Sequence, residues 1–480
     1  MKGIVKPVDF RAVVFIFVVS RIILFLLGLR MNILPLFQYW QYLDVETLKH
    51  NLLRGVWYDH AQPPMFNIFL GVIIKVFGAS SLAVFDILFK AISLANAFFL
   101  HRITKLLVKN PHLPALVAIC YILSPATMVI ECDLSYTICV SLLLLLSLYF
   151  LLRFYDSASW LNSIGIFLPL CLLCLTRSMY HLLWFLVVSG IILGCYGVRK
   201  SYKRLLVSAG LSLLTVISMY VKNYLIFGIF YTSSWLGMNL SRNVFHEQEI
   251  TDSSNIMAIG PFEQISKYRH FYNPEEEKKY AGLNDRDLLK EYKNDSFINL
   301  NHVGYIDVSK QFMEASKKEI LAHPVMYLYN VSQSFIAFFS PATRYVEVVE
   351  PVKIIKYYDI LYSFNLLPLG AENRQKARTL IVISAIPKVL LYIAVISLIL
   401  KSFIRNRKWT VLNMVIMFCI GYVFVLSSLV EHYENMRFRF EVEPLFLILA
   451  VQAVSELLEK SRVGRKSKAP RFISAQERNS

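Results

Sequence analysis

The chain has 480 residues, 56% of them apolar and only 17% charged, with a clearly positive mean hydropathy. That composition lies outside the range of ordinary soluble domains and makes the bilayer the main solvent. Lys and Arg outnumber Asp and Glu by 50 to 33, a net +17. No basic face with interleaved aromatics lies outside the apolar runs, which excludes nucleic acid as a partner and leaves membrane topology as the meaning of the charge.

A helix needs about twenty apolar residues to cross the hydrocarbon. The first such run, 12–30, follows Lys2, Lys6 and Arg11 as a signal peptide would. It is too long for one, carries Arg21, and is followed by Arg30-Met-Asn instead of a small-residue cleavage site, so it reads as a retained span. Further spans are predicted at 82–101, 113–131, 134–153, 161–176, 179–197, 205–226, 378–401, 410–430 and 438–457. Two other runs are interfacial: 64–77 is short, starts beside Pro63-Pro64 and carries Lys75, and 324–341 is interrupted by Asn330, Ser332, Gln333 and Ser334. With neither crossing, the basic loops at 102–109, 199–204 and 401–408 all fall on the side of the N-terminus and the basic tail, as the positive-inside rule demands.

The expectation is an all-α polytopic membrane protein with about ten transmembrane helices, interfacial helices and a small mixed extracytoplasmic segment. Its parts are an N-terminal transmembrane module 1–226 with a first outer loop at 31–81, an extracytoplasmic segment 227–377 containing the interfacial or re-entrant helix 324–341, C-terminal transmembrane helices 378–457, and a basic cytoplasmic tail 458–480. Both termini are expected in the cytoplasm, in a bacterial inner membrane or a plasma membrane sooner than in the endoplasmic reticulum. The seven cysteines lie almost wholly in apolar runs. Cys171 and Cys174 have CxxC spacing, but within CLLCL they have no polar neighbours and read as core residues. Residues 222–377 contain no cysteine, which excludes a disulfide framework there.

Chemistry-bearing residues collect at the outer ends of the spans. The first outer loop offers Asp44, Glu46, Arg54, His60 and Gln62 among aromatics, the next outer turn offers Glu131 and Asp133, and later ends offer Arg177, Lys222 and the stretch Glu431 to Pro444 with Glu434, Arg437, Arg439, Glu441 and Glu443. Each has a plain structural reading: a solvated loop, an interfacial turn, a helix stop at Pro63-Pro64. Acids at some ends and cations at others suit sugar transfer from a sugar phosphate, which needs a carboxylate to take the acceptor's proton and cations to hold the departing phosphate. A lipid-linked donor would explain a site at the bilayer edge.

Asp44, His60-x-Gln-Pro-Pro with an apolar helix ending Phe77-Gly78, Asp133, Lys222-Asn-Tyr-Leu-Ile-Phe-Gly228 with Gly237-x-Asn239-Leu, and Glu434-Asn-Met-Arg-Phe-Arg-Phe before Glu443-Pro444 together resemble the GT-C superfamily of membrane glycosyltransferases. That superfamily includes the aminoarabinose transferases and the protein O-mannosyltransferases. The resemblance covers most of the chain in order, through short and tolerant motifs. It implies a sugar moved from a polyprenyl-phosphate donor to a lipid, glycan or protein acceptor on the extracytoplasmic side. It implies Asp44 as general base, with Glu46 second. Asp133, with its neighbour Glu131, would orient the acceptor or support a metal, and Arg54, His60, Gln62, Arg177, Lys222 and Arg437 would bind substrate. Some relatives bind a divalent cation and others need none, so no cofactor is assigned. One departure from the aminoarabinose transferases is Gln62, where those enzymes carry a basic residue before the Pro-Pro pair. On this reading an Asp44→Asn chain stays folded and loses transfer, and Asp44, Asp133 and the cations converge in one cavity.

Two other classes remain. A transporter or flippase of lipid-linked saccharides would use the intramembrane charges Arg21, Asp86 and Lys90 as a path, although the last two are four apart on one helix and suited to neutralise each other. A polysaccharide polymerase or ligase would concentrate its arginines in one large loop, whereas here they are scattered.

Overall fold

The computed structural model describes residues 9–38, 41–196, 201–245, 259–269, 288–294, 296–363, 374–406, 410–432 and 434–467. The charge-rich stretch 275–279, residues 199–200 of one basic loop and the end of the tail lie outside them. Among the described residues the chain is helical, with only isolated bridges between Asn32 and Asp133 and between Tyr292 and Ile298. In order come α1 (Phe10–Leu26), α2 (Leu34–Gln38), α3 (Val45–His50), α4 (Leu52–Tyr58), α5 (Met65–Phe77), α6 (Ser81–Leu107), α7 (Leu113–Leu123), α8 (Pro125–Ile130), α9 (Thr137–Asp156) and α10 (Trp160–Thr176). They are followed by α11 (Leu182–Tyr196), α12 (Tyr202–Phe227), α13 (Leu236–Phe245), α14 (Gly304–Ala322), α15 (Pro324–Phe339), α16 (Val349–Ile354), α17 (Lys356–Ser363), α18 (Arg374–Asn406), α19 (Val411–Val430) and α20 (Asn435–Ser467).

Each predicted span coincides with a helix, with one interruption. The run 113–131 breaks at Ser124, which is extended (ψ 128°), because Pro125 has no N–H to continue the ladder of α7 and instead starts α8. Five described helical stretches are long and apolar enough to cross a membrane: Met65–Leu107, Thr137–Asp156, Tyr202–Phe227, Val382–Ser402 and Val411–Val430. The first takes in α5 and α6, which are separated by Gly78 (φ 52°), where α5 ends, and by the 3-10 turn Gly78–Ser80. The shorter apolar helices are Leu113–Leu123, Trp160–Thr176 and Leu182–Cys195.

Packing follows from small residues and matched polar pairs, since lipid supplies little hydrophobic drive between helices. At Gly165 on α10 a Cβ would overlap the Phe150 ring of α9, so only glycine allows that crossing. The α9–α10 turn is closed by Ser159, whose hydroxyl accepts the Asn162 N–H, and by the Asn162 amide, which donates to Arg153 O and Ser157 O. Arg21 of α1 forms a bidentate pair with Glu131 at 2.7 and 2.8 Å and donates to Ile122 O at 2.7 Å. Both side chains are buried, so losing either partner would cost about 3–5 kcal/mol. Asp86 and Lys90 pair along α6. The charges that a translocation path would use are thus bound to each other or to the helix frame.

One large apolar core runs through the bundle. Two smaller clusters lie at the end that carries the loops. Trp235, Met238, Tyr268, Tyr305 and Phe312 close around Ala61, and Phe227, Ile229, Leu288, Val303 and Ile306 meet Tyr58. Described residues of this stretch, Trp235, Met238, Leu288 and Tyr305 among them, therefore pack against the first loop, and the left-handed Gly228 (φ 70°) turns the chain out of α12 toward them.

Candidate functional site

Helix ends at the loop-bearing end surround a cavity of about 1090 Å³. Tyr136 opens α9, Arg177 closes α10, Leu182 opens α11, Val430 closes α19, and Glu434 and Arg437 flank the start of α20; all line it. The first loop contributes Gln38, Gln41 and Gln62, and the 231–242 segment contributes Trp235, Asn239 and Arg242.

The cations of this cavity sit in an acid and aromatic frame. Arg437, 2% exposed, donates to Glu434 Oε2 at 2.6 Å and lies 4.8 Å above the Tyr345 ring. Arg177 pairs with the buried Glu441 and lies 4.0 Å above Phe438. Tyr136 is within cation–π range of both guanidinium groups, at 5.2 and 5.6 Å. Arg242 reaches Glu431 at 3.7 Å and Glu434 at 3.8 Å. Glu431 is pushed up, first by burial and also by Glu434, against the pull of Arg242.

Asp133 is not among the residues that line the cavity, but it lies within electrostatic range of Glu347 and Arg437, which do. Its backbone bridges to Asn32, and the Asn32 N–H donates to Cys132 O at 2.7 Å, which pins the turn between α8 and α9 to the start of the first loop. The carboxyl is 2% exposed and its Oδ1 has no hydrogen-bond partner among the described residues. Burial pushes it up to about 7, the charge of Glu347 adds to this, and Ser135 and Arg437 oppose it. Glu347, which lines the cavity, is itself raised by burial and by Glu434. A buried acid that titrates near neutrality beside a cation can accept a proton.

The other expected site residues are placed differently. Asp44 is not in this cavity. It caps α3, with Oδ1 accepting the Glu46 N–H at 2.9 Å and Oδ2 the Asn294 N–H at 2.6 Å. It lines a separate cavity of about 20 Å³ with Tyr58, Lys290, Tyr292 and Lys293. Asp44 therefore lines a different cavity from Arg177 and Arg437, with its two carboxylate oxygens taken up by the cap of α3 and by the Asn294 N–H. Glu46 is exposed and faces His50 one turn on. Glu131 is committed to Arg21. His60 is fully buried, its Nε2 at 3.1 Å from Asn301 O and its Nδ1 at 2.9 Å from Ser234 Oγ. Burial and Lys222 push it down to about 3, so it stays neutral and serves to tie loops together. Lys222 donates to the Asp59 carbonyl at 2.8 Å, within the protein interior. Arg54 is exposed on α4 and is not among the residues lining either cavity. Gln62, Arg177 and Arg437 line the large cavity.

Arg242 and Glu347 were not anticipated. Arg242 lies three residues after Asn239, the spacing that puts two side chains on one helix face, and that was the available signal. Glu347 sits in a short 3-10 turn with no sequence signature. No group of three or more His, Cys, Asp and Glu residues among the described ones is arranged to hold a metal ion.

No family model and no curated protein matches the chain. Among solved structures it is similar to the archaeal oligosaccharyltransferase AglB from Archaeoglobus fulgidus, determined with an inhibitory peptide and a dolichol-phosphate. The identity is 12%, over 98% of this chain and 53% of that one, with a TM-score of 0.45. It is also similar to ArnT from Cupriavidus metallidurans bound to undecaprenyl phosphate, at 13% identity over 96% of this chain and 82% of that one, with a TM-score of 0.35. The chain spans about half the length of the archaeal enzyme.

Proposed function

We propose that the protein is a membrane glycosyltransferase of the GT-C type, taking a sugar from a polyprenyl-phosphate donor on the extracytoplasmic side. The observation that carries this reading is the make-up of the large cavity. One part presents Arg177, Arg242 and Arg437, and another presents Leu183 and Leu236, which are 63% and 54% exposed. A phosphate on a long apolar chain needs both surfaces at once.

In the reaction the acceptor's hydroxyl oxygen attacks the anomeric carbon and the bond from that carbon to the phosphate oxygen breaks. Polyprenyl phosphate leaves with the bonding electrons, its charge held by the arginines, and the acceptor's proton passes to a carboxylate. We assign that proton to the acid pair of Glu347 and Asp133 beside Arg437, in place of Asp44, whose two oxygens are engaged by backbone N–H groups.

The test is consumption of an undecaprenyl-phosphate hexose by the purified protein in nanodiscs supplied with membrane lipid extract as acceptor. Asp133→Asn and Glu347→Gln are expected to lower the rate by roughly 100-fold or more, and Asp44→Asn by less than about tenfold, the range separating loss of a general base from loss of a positioning contact. An inactive Asp44→Asn beside active Asp133→Asn and Glu347→Gln would return the base to the first loop. Movement of the donor between leaflets without its consumption would favour the transporter.

A further inference from the structure

Helix α20 carries two sets of charges that point apart. Arg437 lines the large cavity and Glu441 pairs with Arg177 there. Arg439 and Glu443, each two residues further on, project about 200° around the helix from them. On that far face Arg439 pairs with Glu443 and donates to Ser340 O at 3.4 Å, just beyond the end of α15. Opposite it, α18 presents Ser384, Lys388 and Tyr392 at successive turns of one face, and Tyr392 stacks on Phe446 of α20 with 3.7 Å between ring centroids. Asp359 of α17 joins the group, accepting the Thr343 hydroxyl at 2.9 Å and facing Arg344 at 3.5 Å.

The charges of this group do not cancel. Lys388 is partly buried, lies in the apolar stretch Val382–Ser402 and is in electrostatic range of Arg439, Glu443 and Asp359. Glu443 is already engaged by Arg439 and Asp359 by Arg344, which leaves three cations against two acids among the described residues. A cation at membrane depth is costly without a counter-charge. Arg439, 2% exposed, has a buried Nε with no hydrogen-bond partner among the described residues, and the same holds for Ser384 Oγ, one turn before Lys388. Both atoms can donate. A surplus cation beside idle donors suits the oxygens of an anion. Leu390 and Leu391, next to Lys388 in the chain, are exposed and offer a surface for acyl chains. An anion that brings its own apolar chains to such a place is a lipid headgroup, which basic pockets between transmembrane helices take up.

We propose that α18 and the far face of α20 hold the phosphate of an anionic phospholipid, with Lys388 and Arg439 as its cations. None of these residues lines the large cavity, so the site stands apart from the transferase reading. The test uses the purified protein in nanodiscs of phosphatidylcholine with a minor share of phosphatidylglycerol. Lipid retained on transfer to mild detergent is then identified by native mass spectrometry. Phosphatidylglycerol is expected to be enriched roughly tenfold over its share of the mixture, the size of one hydrogen bond to a charged group. Lys388→Met breaks no ion pair, so it should keep the wild-type thermal midpoint in phosphatidylcholine alone and lose the enrichment, and Lys388→Arg should restore it. No enrichment in the wild type, or the same enrichment in Lys388→Met, overturns the proposal. Displacement of the retained lipid by millimolar inorganic phosphate also overturns it, by making the site one for the free anion.

Discussion

Asp59 shows how one buried acid shapes the residues around it. Its carboxyl is pushed up to about 6, chiefly by burial, against the opposing effects of Lys222 and of hydrogen bonds from Gln62, Asn67 and Ala61. Unfolded, the same group titrates near 4. Between those values the folded state binds more protons than the unfolded one, so the group's contribution to stability falls as pH rises through about 4 to 6 and is level above. A displacement of about two units corresponds to ~3 kcal/mol across that window. Asp59→Asn keeps an oxygen for the Ala61 and Gln62 N–H groups and removes the titration. The thermal midpoint followed by intrinsic fluorescence should therefore fall less between pH 4.5 and 6.5 in the variant than in the wild type. An unchanged slope would show that Asp59 titrates normally. Residue types were legible in the sequence, and their engagements only partly so. Asp44 opening an Asp-Val-Glu-Thr run is a recognisable helix cap, and that signal competes directly with its reading as a base. The Arg21–Glu131 pair joins residues 110 apart in the chain, a contact no local pattern reports.

At the scale of elements, hydrophobic run length located the helices well, because a segment in lipid must satisfy its own backbone and helix is the available way. Breaks were less legible. Ser124-Pro125 carries a strong stop signal, but it lies inside a run whose overall hydropathy hides it. The crossing of α13 and α14 was also invisible, since it depends on two helices meeting far apart in sequence. There Gly237 lies against the backbone of Ser309, the Ser309 hydroxyl accepts the Gly237 N–H at 3.1 Å, and an added Cβ would overlap the Ser309 carbonyl. Backbone cannot yield as a side-chain tip can. Gly237→Ala should thus destabilise the protein by about 1–3 kcal/mol, the usual cost of overpacking, and loosen the wall holding Asn239 and Arg242. Hydrogen exchange should show faster opening of 236–245 in the variant. Protection equal to that of the wild type would mean that the two helices are not in contact there.

For the whole molecule, the bundle converts linear order into a site by bringing alternate helix ends to one face. The start of α9, the end of α10, the end of α19 and the start of α20 supply Tyr136, Arg177, Val430 and Arg437 to one cavity, and Trp235, Asn239, Arg242 and Phe262 line it as well. Up-and-down alternation made most of this grouping readable from the spans alone. It could not reveal the contacts of each loop residue: Asp44 caps a helix, Glu131 pairs with Arg21, and His60 and Lys222 hold loops together. The central claim is that this cavity receives a polyprenyl phosphate by its head. The most direct measurement is an electron cryomicroscopy structure of the purified protein in nanodiscs with undecaprenyl phosphate. Phosphate density among Arg177, Arg242 and Arg437, with the chain leaving past Leu183, is the expected result. A phosphate seated instead between Asp44, Lys290 and Lys293, or a cavity without lipid at saturating concentration, would contradict it.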